Sequence, residues 1–229
     1  MPEYLLLFAD LIGSTEVASE ATPSFYAGNY IASYYWAAKR AKQYLELKIF
    51  KKDKFLLTID DIRLAGDEAL SFTPLNFQKH SKDELEDMVA SAVAFAYVTK
   101  LYWLVSPYNL LRMHGKLFPR DIAVGIHIGP AALVPKEKAK DTQIAGLHIN
   151  ITKRIEDQAR EGSESRIFVS YDVADMFKGW LRRRQRIPFE CRSPLTFTEF
   201  RELPNISSMK GMPKKLRLLE LVWAKEGRD

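Results

Sequence analysis

The chain has 229 residues, 47% of them hydrophobic and 28% charged, a composition that suits one globular domain with a sizeable core spanning 1–229. Its single cysteine, Cys191, excludes an intrachain disulfide and a cysteine-based zinc site and fits a reducing cytosol. The net charge of +5 gathers partly in Lys51-Lys52-Asp53-Lys54 and Arg182-Arg183-Arg184-Gln185-Arg186. Neither cluster carries the interleaved aromatics of a nucleic-acid platform, so both are expected to be solvated surface.

No apolar run is long enough for a bilayer, and MPEYLLLFAD lacks a basic leader and a cleavage site, so neither a membrane span nor a signal peptide is expected. Tyr4 to Ala9 is an apolar run ending at Asp10 and predicts a buried strand. Gly13-Ser14-Thr15 follows, with Ser14 or Thr15 expected to cap a helix. Helical spacing runs from about Ser24 to Leu47. Thr58–Leu64 and Ala69–Phe72 flank Gly66-Asp67 and predict a hairpin with Asp67 at its tip. A helix from Lys82 to about Val105 is expected behind a Ser81 cap, with Asp83, Glu84 and Glu86 in its first turn. Asp121–Ile128 predicts a strand ended by Gly129-Pro130, and residues 130–145 a mobile loop or arm. Gly146–Arg160 is amphipathic, Arg166–Val169 is a short strand, Ser170 is expected to cap a further helix, and Leu216–Trp223 is a last strand. Strands alternating with helices mean an α/β or α+β sandwich.

Asp10 ends a buried strand and Asp67 sits at a hairpin tip, so adjacent strands bring both carboxylates to one sheet edge. Hard oxygen ligands there suit Mg²⁺ or Mn²⁺ that also holds phosphate oxygens. The plainer alternative is a turn aspartate and a loop aspartate. Gly13, Ser14 and Thr15 offer backbone N–H groups at a helix N-terminus, as a phosphate cradle or as an ordinary cap. Asn150 and Arg154 are spaced to share a helix face, where one orients a ribose and the other offsets charge on a phosphorus, or where both are simply solvated.

The order of these motifs is more specific than any one of them. Phe8-Ala-Asp-Leu-Ile-Gly-Ser-Thr15 resembles the opening of class III adenylate and guanylate cyclases. Leu64-Ala-Gly-Asp-Glu-Ala-Leu-Ser-Phe72 is similar to their second metal hairpin, and Val124-Gly-Ile-His-Ile-Gly-Pro130 to their central strand. Gly146-Leu-His-Ile-Asn150-Ile-Thr-Lys-Arg154 resembles their catalytic helix, and Arg166–Ser170 and Met209–Pro213 their closing elements. The resemblance runs from residue 5 to about 222. It implies a class III cyclase fold with a mostly antiparallel sheet, a ferredoxin-like core and flanking helices. It also implies a homodimer with composite sites and a nucleoside triphosphate substrate. Two divalent ions (Mn²⁺ or Mg²⁺) would be bound by Asp10, Leu11 and Asp67. Asn150 and Arg154 of the partner would act on the ribose and the α-phosphorus, and Lys210 would hold the triphosphate.

The base-reading positions depart from that pattern. Adenylate cyclases carry lysine and aspartate there, and guanylate cyclases glutamate and cysteine; this chain has Arg63 and Gln143. An arginine fork donates to O4 of uracil and a glutamine accepts from N3–H, whereas cytosine would set donor against donor. Guanine fits the polarity almost as well. Stand-alone cyclase domains with such departures resemble the bacterial pyrimidine cyclases of anti-phage signalling, whose product activates a separate effector. Adenylate or guanylate cyclisation stays open, as does a silent nucleotide-binding module, against which the presence of Asp10, Asp67, Asn150 and Arg154 argues. A diguanylate cyclase is suggested by Ala65-Gly-Asp-Glu-Ala69, but the Asn150/Arg154 helix belongs to class III. His127 and His148 are expected to be packing residues, as are Tyr26, Tyr30 and Tyr34, one of which could narrow a base pocket.

Overall fold

The computed structural model describes residues 1–48, 63–134, 143–184, 195–203 and 216–225. β1 (Glu3–Leu11) is buried along nearly all its length and runs two residues past the expected end, through Asp10 and Leu11. Its odd residues Leu5, Leu7, Ala9 and Leu11 enter the main core, while Tyr4 and Leu6 lie in a separate cluster on the other face, the alternation a pleated strand imposes.

α1 (Ser14–Glu20) begins after a two-residue turn, Ile12-Gly13. The expected Ser14 or Thr15 cap is not made: Gly13 is the cap, at φ 80° and ψ 20°, with no side-chain cap bond. The reversal from strand to helix takes one left-handed residue, which glycine supplies without strain, so both hydroxyls already lie inside the first turn. The helix expected from Ser24 begins at Pro23, where Thr22 caps α2 (Pro23–Phe25). It then passes through a π turn (Tyr26–Ile31) into α3 (Ala32–Lys48). The inserted turn sends Tyr30 and Tyr34 into a ring cluster with Trp103 and Tyr108, the Tyr30–Tyr108 centroids being 4.7 Å apart.

β2 (Arg63–Ala65) and β3 (Glu68–Leu75) form the expected hairpin over the two-residue turn Gly66-Asp67; the part of the expected strand before residue 63 lies outside the described residues. α4 (Lys82–Leu104) starts at Ser81 in a capping box with Glu84 and is buried over most of its length. The 17 residues that follow hold a helix the periodicity had not revealed, α5 (Pro107–His114), although Ser106-Pro107 carried its start signal. β4 (Ile122–Pro130) opens one residue later than expected because Asp121 caps the strand: its Oδ1 accepts from the Ile122 amide at 2.8 Å.

The expected loop at 130–145 contains a small sheet of its own, β5 (Ala132–Val134) paired with β6 (Gln143–Ala145). α6 (Leu147–Ala159), β7 (Ile167–Ser170) and α7 (Tyr171–Arg184) follow. Ser170 was expected to cap α7, but it is the last strand residue and its buried Oγ has no partner among the described residues. β8 (Leu195–Glu202), an alternating segment not foreseen, pairs with β9 (Leu218–Lys225).

The large sheet has seven strands in the order β2-β3-β1-β4-β7-β9-β8, antiparallel throughout except for the β4–β7 pair. Strands β4-β1-β3-β2, joined by the crossovers through α1–α3 and α4–α5, make the ferredoxin-like core. α3, α4 and α7 cover one face over the main core, and α6 covers the other above Ala123 and Phe168. Among the described residues no single helix is long and apolar enough to cross a membrane; α4 and α5 pass that test only as a bent pair, and α4 is core.

Candidate active site

Asp10 stands opposite Glu68 on one side and Ala123 on the other. The Gly66-Asp67 turn therefore projects from the same end of the sheet, one residue beyond the partner of Asp10. Asp10 is 6% exposed. Its Oδ2 is held by Arg160 and lies 3.9 Å from Lys153 Nζ, whereas its Oδ1 is buried with no hydrogen-bond partner among the described residues. An ionised oxygen left unpaired in the interior is costly, and a hard cation is the partner that would satisfy it. The residues present thus fit a divalent metal, with Asp10 contributing Oδ1 and Asp67 a half-buried carboxylate. Asp67 also raises the pKa of the Tyr26 hydroxyl, after burial, which sets its charge beside the π turn. Leu11 pairs with Ile122 in the sheet, its side chain in the main core. Among the described residues no three carboxylate, histidine or cysteine groups converge as a metal site, so a cation here needs oxygens beyond those of Asp10 and Asp67.

The Gly13-Ser14-Thr15 turn follows immediately. Ser14 is buried and Thr15 exposed, and Gly13 lies against the Arg120 guanidinium. Arg120, which the sequence did not single out, pairs with Glu16 at 2.6 Å. Its segment is clamped from behind. The Arg120 carbonyl accepts from Trp103 Nε1 at 2.8 Å, and the Asp121 carbonyl accepts from the Ile12 amide at 3.0 Å. Buried Lys100 pairs with Asp121 at 2.6 Å. The loop that carries Asp10 to Ser14 is thereby braced by α4.

α6 crosses above this end. It approaches β4 closely because Gly125 has no side chain: a Cβ there would meet the Glu156 amide nitrogen at 2.5 Å and the Thr152 carbonyl at 2.7 Å. Ile151, Thr152, Ile155, Glu156 and Ala159 form the buried stripe. Fully buried Glu156 receives Lys153 at 2.8 Å and Arg160 at 3.2 Å, and burial still pushes its carboxyl up to about 7. Asn150 and Arg154, one turn apart, fall on the opposite side of the helix. Asn150 is exposed and Arg154 half-buried, and neither has a hydrogen bond or ion pair among the described residues. The structure therefore brings together Asp10, Asp67 and the Gly13–Thr15 turn, and sets Asn150 and Arg154 on the side of α6 opposite its buried stripe.

Of the two positions expected to read the base, Arg63 lies on edge strand β2 and Gln143 opens β6 in the separate small sheet. Lys210 lies outside the described residues. His127 Nε2 and His148 Nδ1 are 2.8 Å apart with stacked rings, so both histidines pack as expected; burial first, then His148, pushes His127 down to about 3.

Compared with solved structures, the chain superposes over nearly its whole length on nucleotide cyclase domains. The adenylyl cyclase CyaB from P. aeruginosa aligns with a TM-score of 0.65 at 17% identity, covering 98% of this chain and 96% of that one. The guanylyl cyclase Cya2 aligns at 0.61 and 17%, covering 99% and 96%. This is the class III cyclase fold. The catalytic core of a rhodopsin-guanylyl cyclase with converted specificity, in complex with ATPαS, aligns at 0.57 and 16%, covering 97% and 96%. No family model matches the sequence, and no curated protein matches it.

Proposed function

We propose that this chain is a metal-dependent nucleotidyl cyclase that acts as a homodimer and closes a nucleoside triphosphate, preferentially UTP, to its 3′,5′-cyclic monophosphate and pyrophosphate. The observation that carries the reading is Asp10, a buried carboxylate with one unpartnered oxygen at the sheet end that also bears the Asp67 turn. The fold shared with adenylyl and guanylyl cyclases supports it.

The carboxylates of Asp10 and Asp67 and the carbonyl of Leu11 would hold two divalent ions, whose charge would lower the pKa of the ribose 3′-OH and offset the triphosphate oxygens. The ribose 3′-OH gives up its proton to water, the O3′–Pα bond forms as the bond from Pα to the β-phosphate oxygen breaks, and pyrophosphate leaves. The amides of the Gly13–Thr15 turn receive phosphate oxygens at the N-terminus of α1. Arg154 of the partner subunit neutralises charge on the α-phosphoryl group, and Asn150 of the partner subunit orients the ribose. That role for a second copy is supported by Asn150 and Arg154 lying on the side of α6 opposite its buried stripe.

Selection of uracil rests on residue chemistry, with Arg63 donating to O4 and Gln143 accepting from N3–H. The product would serve as a second messenger for a separate effector, in keeping with a role in anti-phage defence. Adenylate or guanylate cyclisation is the second reading, favoured by the activities of CyaB and Cya2. The test is whether the purified protein with Mn²⁺ releases pyrophosphate and cyclic monophosphate in equal amounts, and whether Asp10→Asn abolishes both.

A further inference from the structure

We infer that Arg160 is a positioning residue for the metal site: anchored by buried Glu156, it fixes Oδ2 of Asp10 and so sets the orientation in which Oδ1 is presented to a metal ion. The inference rests on Asp10 being a metal ligand, as proposed above.

Three features place Arg160 in this role. The two oxygens of Asp10 have different environments: Oδ2 is shared by Arg160 and, more distantly, Lys153, while Oδ1 is buried and unpartnered. A carboxylate rotating freely would offer either oxygen in any orientation, whereas one held at Oδ2 presents Oδ1 in a set direction. Second, the clamp is itself clamped. Arg160 Nε donates to Glu156 Oε1 at 3.2 Å while its terminal nitrogen donates to Asp10, so one planar guanidinium spans two carboxylates in a set orientation. Glu156 is fully buried, and it reaches this position because Gly125 lets α6 sit directly on β4.

Third, the same anchor serves the other side of the site. Lys153 bridges Glu156 Oε2 at 2.8 Å to Glu68 at 2.8 Å, next to Asp67 in the chain. Glu156 is thus the hub from which one cation steadies β1 and a second steadies the start of β3. An exposed arginine–aspartate pair contributes little on its own. Here Asp10 is 6% exposed, and outer partners of a ligating carboxylate typically carry about tenfold to hundredfold in metal affinity.

The experiment titrates Mn²⁺ into the full chain without nucleotide, following free Mn²⁺ by electron paramagnetic resonance, for the wild type and for Arg160→Gln, Arg160→Lys and Asp10→Asn. Circular dichroism and Tm check folding. Arg160→Gln is expected to weaken Mn²⁺ binding by about tenfold to hundredfold. Arg160→Lys keeps the charge but cannot span both carboxylates, so it is expected to recover only part of the loss. Should Arg160→Gln not fold, the weakening in Arg160→Lys carries the test. An unchanged Mn²⁺ affinity with a lowered Tm would make Arg160 a staple between α6 and β1 and overturn the inference. A tighter affinity would make it a competitor of the metal and overturn it equally. Wild-type Mn²⁺ binding by Asp10→Asn would instead overturn the metal assignment itself, whatever Arg160 does.

Discussion

Asp10 of β1 and Glu68 of β3 stand opposite one another in the antiparallel register, which puts Asp67 one residue from the partner of Asp10 although 57 positions separate the two aspartates in the chain. The pairing brings both carboxylates to one sheet end, and the proposed metal role there makes activity depend on both of them. Asp10→Ala or Asp67→Ala is expected to lower cyclic product by at least about a thousandfold, the scale of lost charge stabilisation at a reacting group. Far-ultraviolet circular dichroism should stay unchanged. Near wild-type turnover by either variant would remove the metal role.

Asn150 and Arg154 lie on the side of α6 opposite its buried stripe, and the proposed composite site makes complementation between copies the expected result. Asp67→Ala and Arg154→Ala should each be inactive alone. Mixed with subunit exchange, they should regain roughly a quarter of wild-type activity, since half the dimers are mixed and each holds one intact site. Failure to recover activity despite demonstrated exchange would place the site within one chain.

Gly125 was legible as part of a motif, but its reason is spatial: it is the point where α6 touches β4. Gly125→Ala is expected to cost about 1–3 kcal/mol of stability and to weaken Mn²⁺ binding, because Glu156 moves with the helix. A urea titration and the Mn²⁺ titration read the two effects. An unaltered midpoint would mean that the helix yields without strain.

The His127–His148 pair predicts a pH dependence. Burial, then His148, lowers His127 from its ordinary 6.5 to about 3, so the folded state favours the neutral ring. A depressed histidine contributes stability that is present above pH 6.5 and lost as pH falls towards 3. Between about pH 6.5 and about pH 5 the wild type should therefore lose about 2 kcal/mol relative to His127→Leu. Equal losses in both proteins would show that His127 does not carry the dependence.

Local patterns in the sequence carried the hairpin, the Ser81 cap, α4 and α6, because each depends on residues close together in the chain. The alternation of β8 and the Ser106-Pro107 start of α5 were equally local and went unread. Arg120, Arg160 and Glu156 were not legible, since their meaning comes from Gly13, Asp10 and Gly125, far away in sequence and adjacent only after folding. Gly13 took the capping position from Ser14 because the strand runs on through Leu11, leaving only Ile12 and Gly13 for the reversal.

The proposed preference for uracil rests on Arg63 and Gln143. Arg63→Ala is expected to lower UTP turnover by at least about tenfold, because a base edge built for hydrogen bonds leaves buried groups unpaired when one partner is lost. Arg63→Lys with Gln143→Asp should weaken UTP use further and shift preference towards ATP. Undiminished UTP turnover in both variants would take base reading away from these positions.

The central claim is that this chain cyclises a nucleoside triphosphate. It is tested most directly by incubating the purified protein with Mn²⁺ and equal concentrations of ATP, GTP, CTP and UTP, and identifying the products by mass. The account predicts a 3′,5′-cyclic monophosphate as the product, dominated by cyclic UMP and absent with Asp10→Ala. A dominant cyclic AMP or cyclic GMP peak would contradict the base assignment, and the absence of any cyclic product from a folded protein would contradict the account as a whole.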